Sequence, residues 1–248
     1  MKIAKTTWFG HEAVEMEAGG YEALMIPAVG ANMVKLYDKE KKVNIFRTPA
    51  EADLEVFGVR AQLFGLPLLF PPNRIEDGKY TYNGKTYRFP ITIPNQNNYH
   101  HGIIKQQAFT VTRTRVGGNY VEVEASFFSN AVNDAVFCDF PHEFECRMYF
   151  KLSAAGLEHK VSFINLSDSP MPLGVGYHTP IMVPFAEGGR AEDVLLQLSV
   201  GEKWEVNDRT LPTGKLLPLT EEETRLRGAG LRPTGQAIEW PLTAKPIT

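Results

Sequence analysis

The chain has 248 residues, 43% of them hydrophobic, 22% charged and 11% aromatic, a composition that excludes disordered and fibrous classes and suits a globular core. Its net charge of -3 and pI near 6.1 give no electrostatic reason to expect nucleic acid or an anionic membrane as partner. The length is that of a single large β-domain, so residues 1–248 are expected to form one unit.

The N-terminus carries Lys2 and Lys5 but no apolar stretch behind them, so it does not read as a secretory signal. No apolar run approaches the roughly 18 residues of a membrane span. Cys138 and Cys146 are the two cysteines and form no CxxC pattern, so neither a disulfide framework nor a zinc site is expected, and the cytoplasm is the default location. The sequon Asn165-Leu-Ser167 carries little weight without a secretion route.

In chain order, Thr48-Pro49-Ala-Glu51 predicts a short helix with Thr48 as N-cap, Pro49 at its first position and Gly58 near its end. Residues 65–78 then run through an apolar, proline-bounded stretch to Asn73 and Arg74. A guanidinium in such surroundings needs a partner: an internal salt bridge on the bland reading, a polar ligand on the sharper one. Residues 79–87 predict a hairpin, because Asn83-Gly84 between aromatic-rich arms suits the positive φ values of a type I′ turn. Asn98-Tyr-His-His101-Gly102 follows, where His101 alone reads as a loop histidine.

Strict alternation then predicts three strands. Val121, Val123, Ala125 and Phe127 alternate with Glu122, Glu124 and Ser126, one face buried and one wet. Phe144, Cys146, Met148, Phe150 and Leu152 face one way over residues 144–152, and Val161 and Phe163 oppose Glu158, Lys160 and Ser162 over residues 157–164, with Ala-Ala-Gly156 as the connecting turn. Residues 170–180 read as an apolar strand ending in His178, a position more often occupied by a hydrogen-bonded core histidine than by a catalyst. Thr220-Glu-Glu-Glu223 predicts a second capped helix, with Arg225 and Arg227 in its last turn and Gly228 beyond. His11, His142 and His159 receive no role. Many strands, 21 Gly, 17 Pro and few short helices indicate an all-β fold, a sandwich or barrel.

The ordered motifs resemble those of the aldose 1-epimerase (galactose mutarotase-like) family. Asn73-Arg74-Ile75 matches its Asn-Arg-Ile segment, and residues 78–87 match its G-x-(Y/F)-x-(Y/L)-x-G-K-x-Y hairpin. Asn98-Tyr-His-His101-Gly102 matches an Asn-x-x-His-Gly motif, Gly174-Val-Gly-Tyr-His178-Thr-Pro matches a Gly-x-x-His-Pro motif loosely, and Pro212-Thr213-Gly214 matches a Pro-Thr-Gly segment. Each is weak alone; together, in this order along nearly the whole chain, they are specific.

The resemblance implies a large antiparallel β-sandwich and an isomerase that interconverts α and β anomers of a hexose by opening and reclosing the ring, with no metal or organic cofactor. His178 would be the acid, since histidine exchanges a proton near neutrality. Arg74, His101 and Asn73 would bind the sugar. The family's base is a glutamate in a Glu-Pro context near the C-terminus; Glu239, in Ile-Glu-Trp-Pro, does not match and reads as a solvated side chain. Residues 241–246 show neither strand pattern nor helix cap, so the chain is expected to lack the family's last strands. Two alternatives follow: a non-catalytic sugar-binding protein on the same scaffold, or a hexose-phosphate epimerase with a basic cluster drawn from Arg60, Arg74 and Arg88.

Overall fold

The computed structural model describes residues 1–132, 134–233 and 242–244. The N-terminal third forms an antiparallel meander of β1 (Lys2–Trp8), β2 (His11–Ala18), β3 (Tyr21–Ile26), β4 (Asn32–Asp38) and β5 (Val43–Asn44). After a helical segment ending in α1 (Leu54–Val59) come short strands: β6 (Leu68–Leu69), β7 (Arg74–Glu76), β8 (Lys79–Tyr82), β9 (Lys85–Arg88) and β10 (Asn98–His100). A second meander follows, of β11 (Thr110–Val116), β12 (Tyr120–Ser129), β13 (Phe144–Ser153) and β14 (Gly156–Asn165), with α2 (Asp134–Phe137) between its middle strands. The last elements are β15 (Gly176–Tyr177), β16 (Val200–Val206), β17 (Pro212–Leu217), α3 (Glu221–Thr224) and β18 (Leu242–Ala244).

The two meanders pack face to face, the arrangement of a β-sandwich. Val14, Met16, Met25, Met33 and Leu36 of the first sheet share one core with Val121, Val123, Phe127, Phe144, Met148, Phe150 and Leu152 of the second. Residues two apart supply that face along β2, β12 and β13, a register irregularity between β3 and β4 sets Met33 and Leu36 three apart, and each fully buried Phe or Leu contributes about 1.5–3 kcal/mol. The opposite face of the first sheet is covered at Ala13 and Val34 by Phe57, Ala61 and Phe64.

The predicted strands at residues 121–127, 144–152 and 157–164 correspond to β12, β13 and β14, and the predicted Ala-Ala-Gly156 turn joins the last two, with Gly156 itself opening β14. Their polar face is less wet than the alternation implies. Glu122 and Glu145 are 6% and 8% exposed. Arg113 and the Tyr149 hydroxyl donate to Glu122 at 3.0 and 2.9 Å, while Arg147 forks onto both Glu145 oxygens at 3.0 and 2.9 Å and Ser126 adds a bond at 2.7 Å. Ionised carboxylates can be buried there because each is paired and hydrogen-bonded. Arg147 accordingly holds the Glu145 carboxyl below the usual range.

The hairpin at residues 79–87 forms with Asn83 and Gly84 at φ 48 and 76°. The capping box at Thr220 is also present, Glu223 N donating to Thr220 Oγ1 at 3.2 Å and Thr220 N to Glu223 Oε2 at 2.8 Å. Three expectations are corrected. Thr48 is not an N-cap: its hydroxyl donates to Val34 O at 2.8 Å, tying it to β4, and the helical segment starts at Glu51, where Asp53 accepts from Ala50 N at 3.0 Å. Gly58 lies near the end of α1, as expected. Residues 170–180 hold only the two-residue β15, with Leu173 and Tyr177 exposed, because no long strand is there to pair with it. The third correction is at the C-terminal end, where Leu242–Ala244 pairs antiparallel with β16. Glu239 lies outside the described residues.

Candidate functional site

The segment linking the two sheets builds a cleft. From Phe70, buried in the core against Phe140, Phe144 and Phe163, the chain rises through Pro71 and Pro72 to Asn73 and enters β7. That strand pairs antiparallel with β10 so that Arg74 lies opposite His100, Ile75 opposite Tyr99 and Glu76 opposite Asn98. Ile75 and Tyr99 pack on the core, which aims the alternating Arg74 and His100 away from it.

Beyond β10 the backbone turns sharply. His101 has φ 67° and Asn73 φ 59°, and His101 N donates to Asn73 O at 3.0 Å. Gly102 follows at φ 82°, where an added Cβ would lie 2.7 Å from Phe70 N; only glycine allows so close an approach to the core segment. The other side of the cleft comes from β15, whose Gly176 and Tyr177 pair with Leu69 and Leu68 and deliver His178. The bend between β16 and β17 completes the walls. Together Asn73, Arg74, His100, His101, Tyr177, His178, Val206, Thr210 and Pro212 surround a volume of about 430 Å³, the size of a small-molecule site.

All four sequence-predicted site residues, Asn73, Arg74, His101 and His178, therefore line one cleft. The rings of His101 and His178 meet edge to face with centroids 5.0 Å apart. Arg74 Nε donates to Gln96 Oε1 at 3.2 Å. Burial pushes the His101 imidazole down to about 3, and the fields of His100, His178, Lys105 and Arg74 act in the same direction. His100 is pushed down to about 4, again chiefly by burial. Both are neutral near pH 7, so they offer one donor and one acceptor each rather than a charge. His101 Nδ1 is buried and has no hydrogen-bond partner among the described residues. Lys105, whose ammonium donates to Gly102 O at 3.0 Å, is lowered to about 8 by burial.

Of the arginines considered for a phosphate, only Arg74 lines the cleft; Arg60 acts on His100 through its field, and Arg88 lies in β9 opposite Lys79. Among the described residues no group of three or more His, Cys, Asp or Glu side chains is arranged to hold a metal ion, and no helix is long and apolar enough to cross a membrane. His142 is structural: Tyr87 Oη lies 2.7 Å from its Nε2 and Ser167 Oγ 3.0 Å from its Nδ1. His159 stacks on Phe150 with centroids 4.3 Å apart, and His11 opens β2.

A family model described as Aldose 1-epimerase matches residues 12–236. The chain belongs to the aldose 1-epimerase family. Among solved structures it is similar to a galactose mutarotase-like protein from Clostridium acetobutylicum, at 39% identity and TM-score 0.96, covering 100% of this chain and 74% of that one. A galactose 1-epimerase from Lactobacillus acidophilus NCFM shares the fold at 18% identity and TM-score 0.65, covering 88% of this chain and 62% of that one. The curated relative YihR, an uncharacterized protein of Escherichia coli (strain K12), is 24% identical over 204 residues, which are 82% of this chain. This epimerase-family chain spans 59% of the length of that relative.

Sequence reasoning missed His100, Tyr177 and the wall formed by Val206, Thr210 and Pro212. The alternation across β10 already pairs His100 with Arg74 on one face, a signal that was present once β7 was placed. Thr210 had no local signal. It sits near Pro212-Thr213-Gly214, yet its position in the cleft depends on long-range bonds to residues more than a hundred positions away.

Proposed function

We propose that this cleft is a mutarotase-type sugar site in which an aldose, a hexose in the simplest case, is opened and reclosed at its anomeric carbon. The observation that carries the reading is the convergence of Asn73, Arg74, His101 and His178 from separate stretches of chain on one cleft of about 430 Å³. In this reading His178 donates a proton to the ring oxygen as the C1–O5 bond breaks, while the anomeric hydroxyl gives its proton to solvent water and becomes the C1 carbonyl. Rotation about the exposed carbonyl and reclosure on the other face yield the second anomer. Neutral His101 and the fork of Arg74 hold ring and hydroxyl oxygens, and Asn73 lines the entrance. That His101 is held neutral, its imidazole pushed down to about 3, supports assigning the acid role to His178 instead.

Polarimetry on freshly dissolved α-galactose or α-glucose tests this. The protein is expected to accelerate mutarotation, and His178→Ala to lose roughly 100-fold or more of that acceleration, the contribution of a positioned acid. Undiminished acceleration by the variant rejects the assignment. A second reading, a sugar-binding protein without catalysis, is favoured by one observation: among the described residues no carboxylate lines the cleft to receive the anomeric proton. It requires sugar-dependent stabilisation without rate enhancement, so the same polarimetry separates the two.

A further inference from the structure

Gln96 occupies the short turn between the hairpin and β10, half-buried, at the end of the 3-10 segment Pro94–Gln96. It does not line the cleft, yet it touches two of its walls at once. Its Oε1 accepts from Arg74 Nε at 3.2 Å and its Nε2 donates to Thr210 Oγ1 at 3.0 Å. The arginine can only donate, so it fixes which end of the amide faces it and leaves the amide nitrogen for Thr210.

The Thr210 side of this bridge is built with care. Thr210 has φ 58°, a conformation β-branched residues seldom take, and such positions persist only where the surroundings enforce them. Here Asn207 O accepts from Thr210 N at 2.8 Å, and Asn207 Oδ1 accepts from Arg209 N and Leu211 N at 2.9 and 3.1 Å. Arg209 then fastens the whole bend to the β7–β10 ribbon. Its guanidinium donates to Glu76 at 2.9 Å, to Asp77 at 2.7 Å, and to the Gln96 carbonyl at 2.8 Å. Asn98 Nδ2 returns a bond to Arg209 O at 3.0 Å. The bend is therefore docked on the ribbon through Arg209, and Gln96 carries the connection on to Arg74 and Thr210 in the cleft wall.

We propose that Gln96 is a positioning residue that locks the Arg74 guanidinium and the Thr210 wall into one geometry, and so sets how tightly the cleft grips its sugar. An arginine side chain has many rotamers, and a fork directed at hydroxyls loses selectivity when its plane is free to swing. Anchoring its Nε–H fixes that plane without occupying the cleft. The inference rests on the sugar-site reading given above. It concerns binding rather than proton transfer, because the Gln96 amide bonds Arg74 and Thr210 rather than His178 or His101.

The test is steady-state mutarotation by the whole chain with α-galactose, read as KM and kcat separately, with sugar-induced thermal stabilisation alongside. Gln96→Leu, of similar size but without polar atoms, is expected to raise KM roughly tenfold with kcat changed by no more than about twofold. Its pH profile should match the wild type. Gln96→Glu, whose carboxylate still accepts from Arg74 and takes the Thr210 proton instead of supplying one, is expected to recover most of the loss. An unchanged KM for Gln96→Leu, or a fall in kcat alone, overturns the proposal. If Gln96→Leu fails to fold, Thr210→Val decides: it keeps the shape and removes the hydroxyl, and an unchanged KM overturns the role. A wild-type chain that neither accelerates mutarotation nor is stabilised by sugar overturns the sugar-site reading and the role of Gln96 with it. A responsive wild type with unaltered variants overturns only the latter.

Discussion

The two sides of the cleft are made from different kinds of structure. Asn73, Arg74, His100 and His101 stand on a ribbon whose inward residues Ile75 and Tyr99 belong to the main core, and whose base is pressed on Phe70 through Gly102. Tyr177 ends, and His178 directly follows, a two-residue strand held by backbone pairing to Leu68 and Leu69, within a stretch where Leu173, Val175 and Ile181 are all exposed. The groups proposed to hold the sugar are thus placed by close-packed side chains, which leave little room for adjustment. The group proposed to move a proton is placed by main-chain bonds. Position and chemistry are separated in the fold, and the two sides should respond differently to damage.

Truncating the core side gives the largest effect. Phe70→Ala removes a ring that contacts Phe140, Phe144 and Phe163, and is expected to cost about 4 kcal/mol in urea unfolding. A loss below about 1 kcal/mol would mean that the ribbon does not depend on the core in the way the packing implies. Next comes acid. His100 and His101 are pushed down to about 4 and about 3 from an ordinary 6.5, so between those values the unfolded chain binds protons that the folded chain refuses. Stability therefore rises with pH across that window, is complete above about 6.5, and is lost as pH falls toward 4 and then 3. Melting temperatures from pH 7 to pH 4.5 should fall more steeply for the wild type than for His100→Asn/His101→Asn; parallel curves would remove the ribbon histidines from the account. The smallest effect belongs to the other side. Leu173, 59% exposed, should tolerate Ser with a change within about 0.5 kcal/mol, and a large loss would show that this stretch is packed against something.

Sequence reasoning succeeded where the signal is local. The Asn83-Gly84 turn, the Thr220 capping box and the alternating strands β12 to β14 are each written within a few residues of themselves. The first meander carries the same local signal, since Val14, Met16 and Ala18 alternate with Glu15 and Glu17. The failures have a common cause in distant partners. Thr48 satisfies every local rule for an N-cap and is instead claimed by Val34, fourteen positions away. Glu122 and Glu145 look like wet-face residues and are buried because Arg113 and Tyr149 on neighbouring strands reach over the first, and Ser126 of the neighbouring strand joins Arg147 on the second. In the cleft, the histidines and Arg74 carried recognisable motifs. Gln96, Arg209 and Thr210 carried none, because what they do is defined by contacts across more than a hundred residues.

Asn73 shows how to weigh a residue that lines the cleft. Its φ of 59° is one that Gly, Asn and Asp adopt cheaply and other residues resist. The main chain alone thus restricts this position to a short menu, before any ligand is considered. Retention of an asparagine at position 73 among related chains would therefore speak for the shape of the turn and say little about what the cleft holds. Arg74, one residue on and in ordinary strand geometry, is under no such restriction, so its identity is the more informative witness to the ligand.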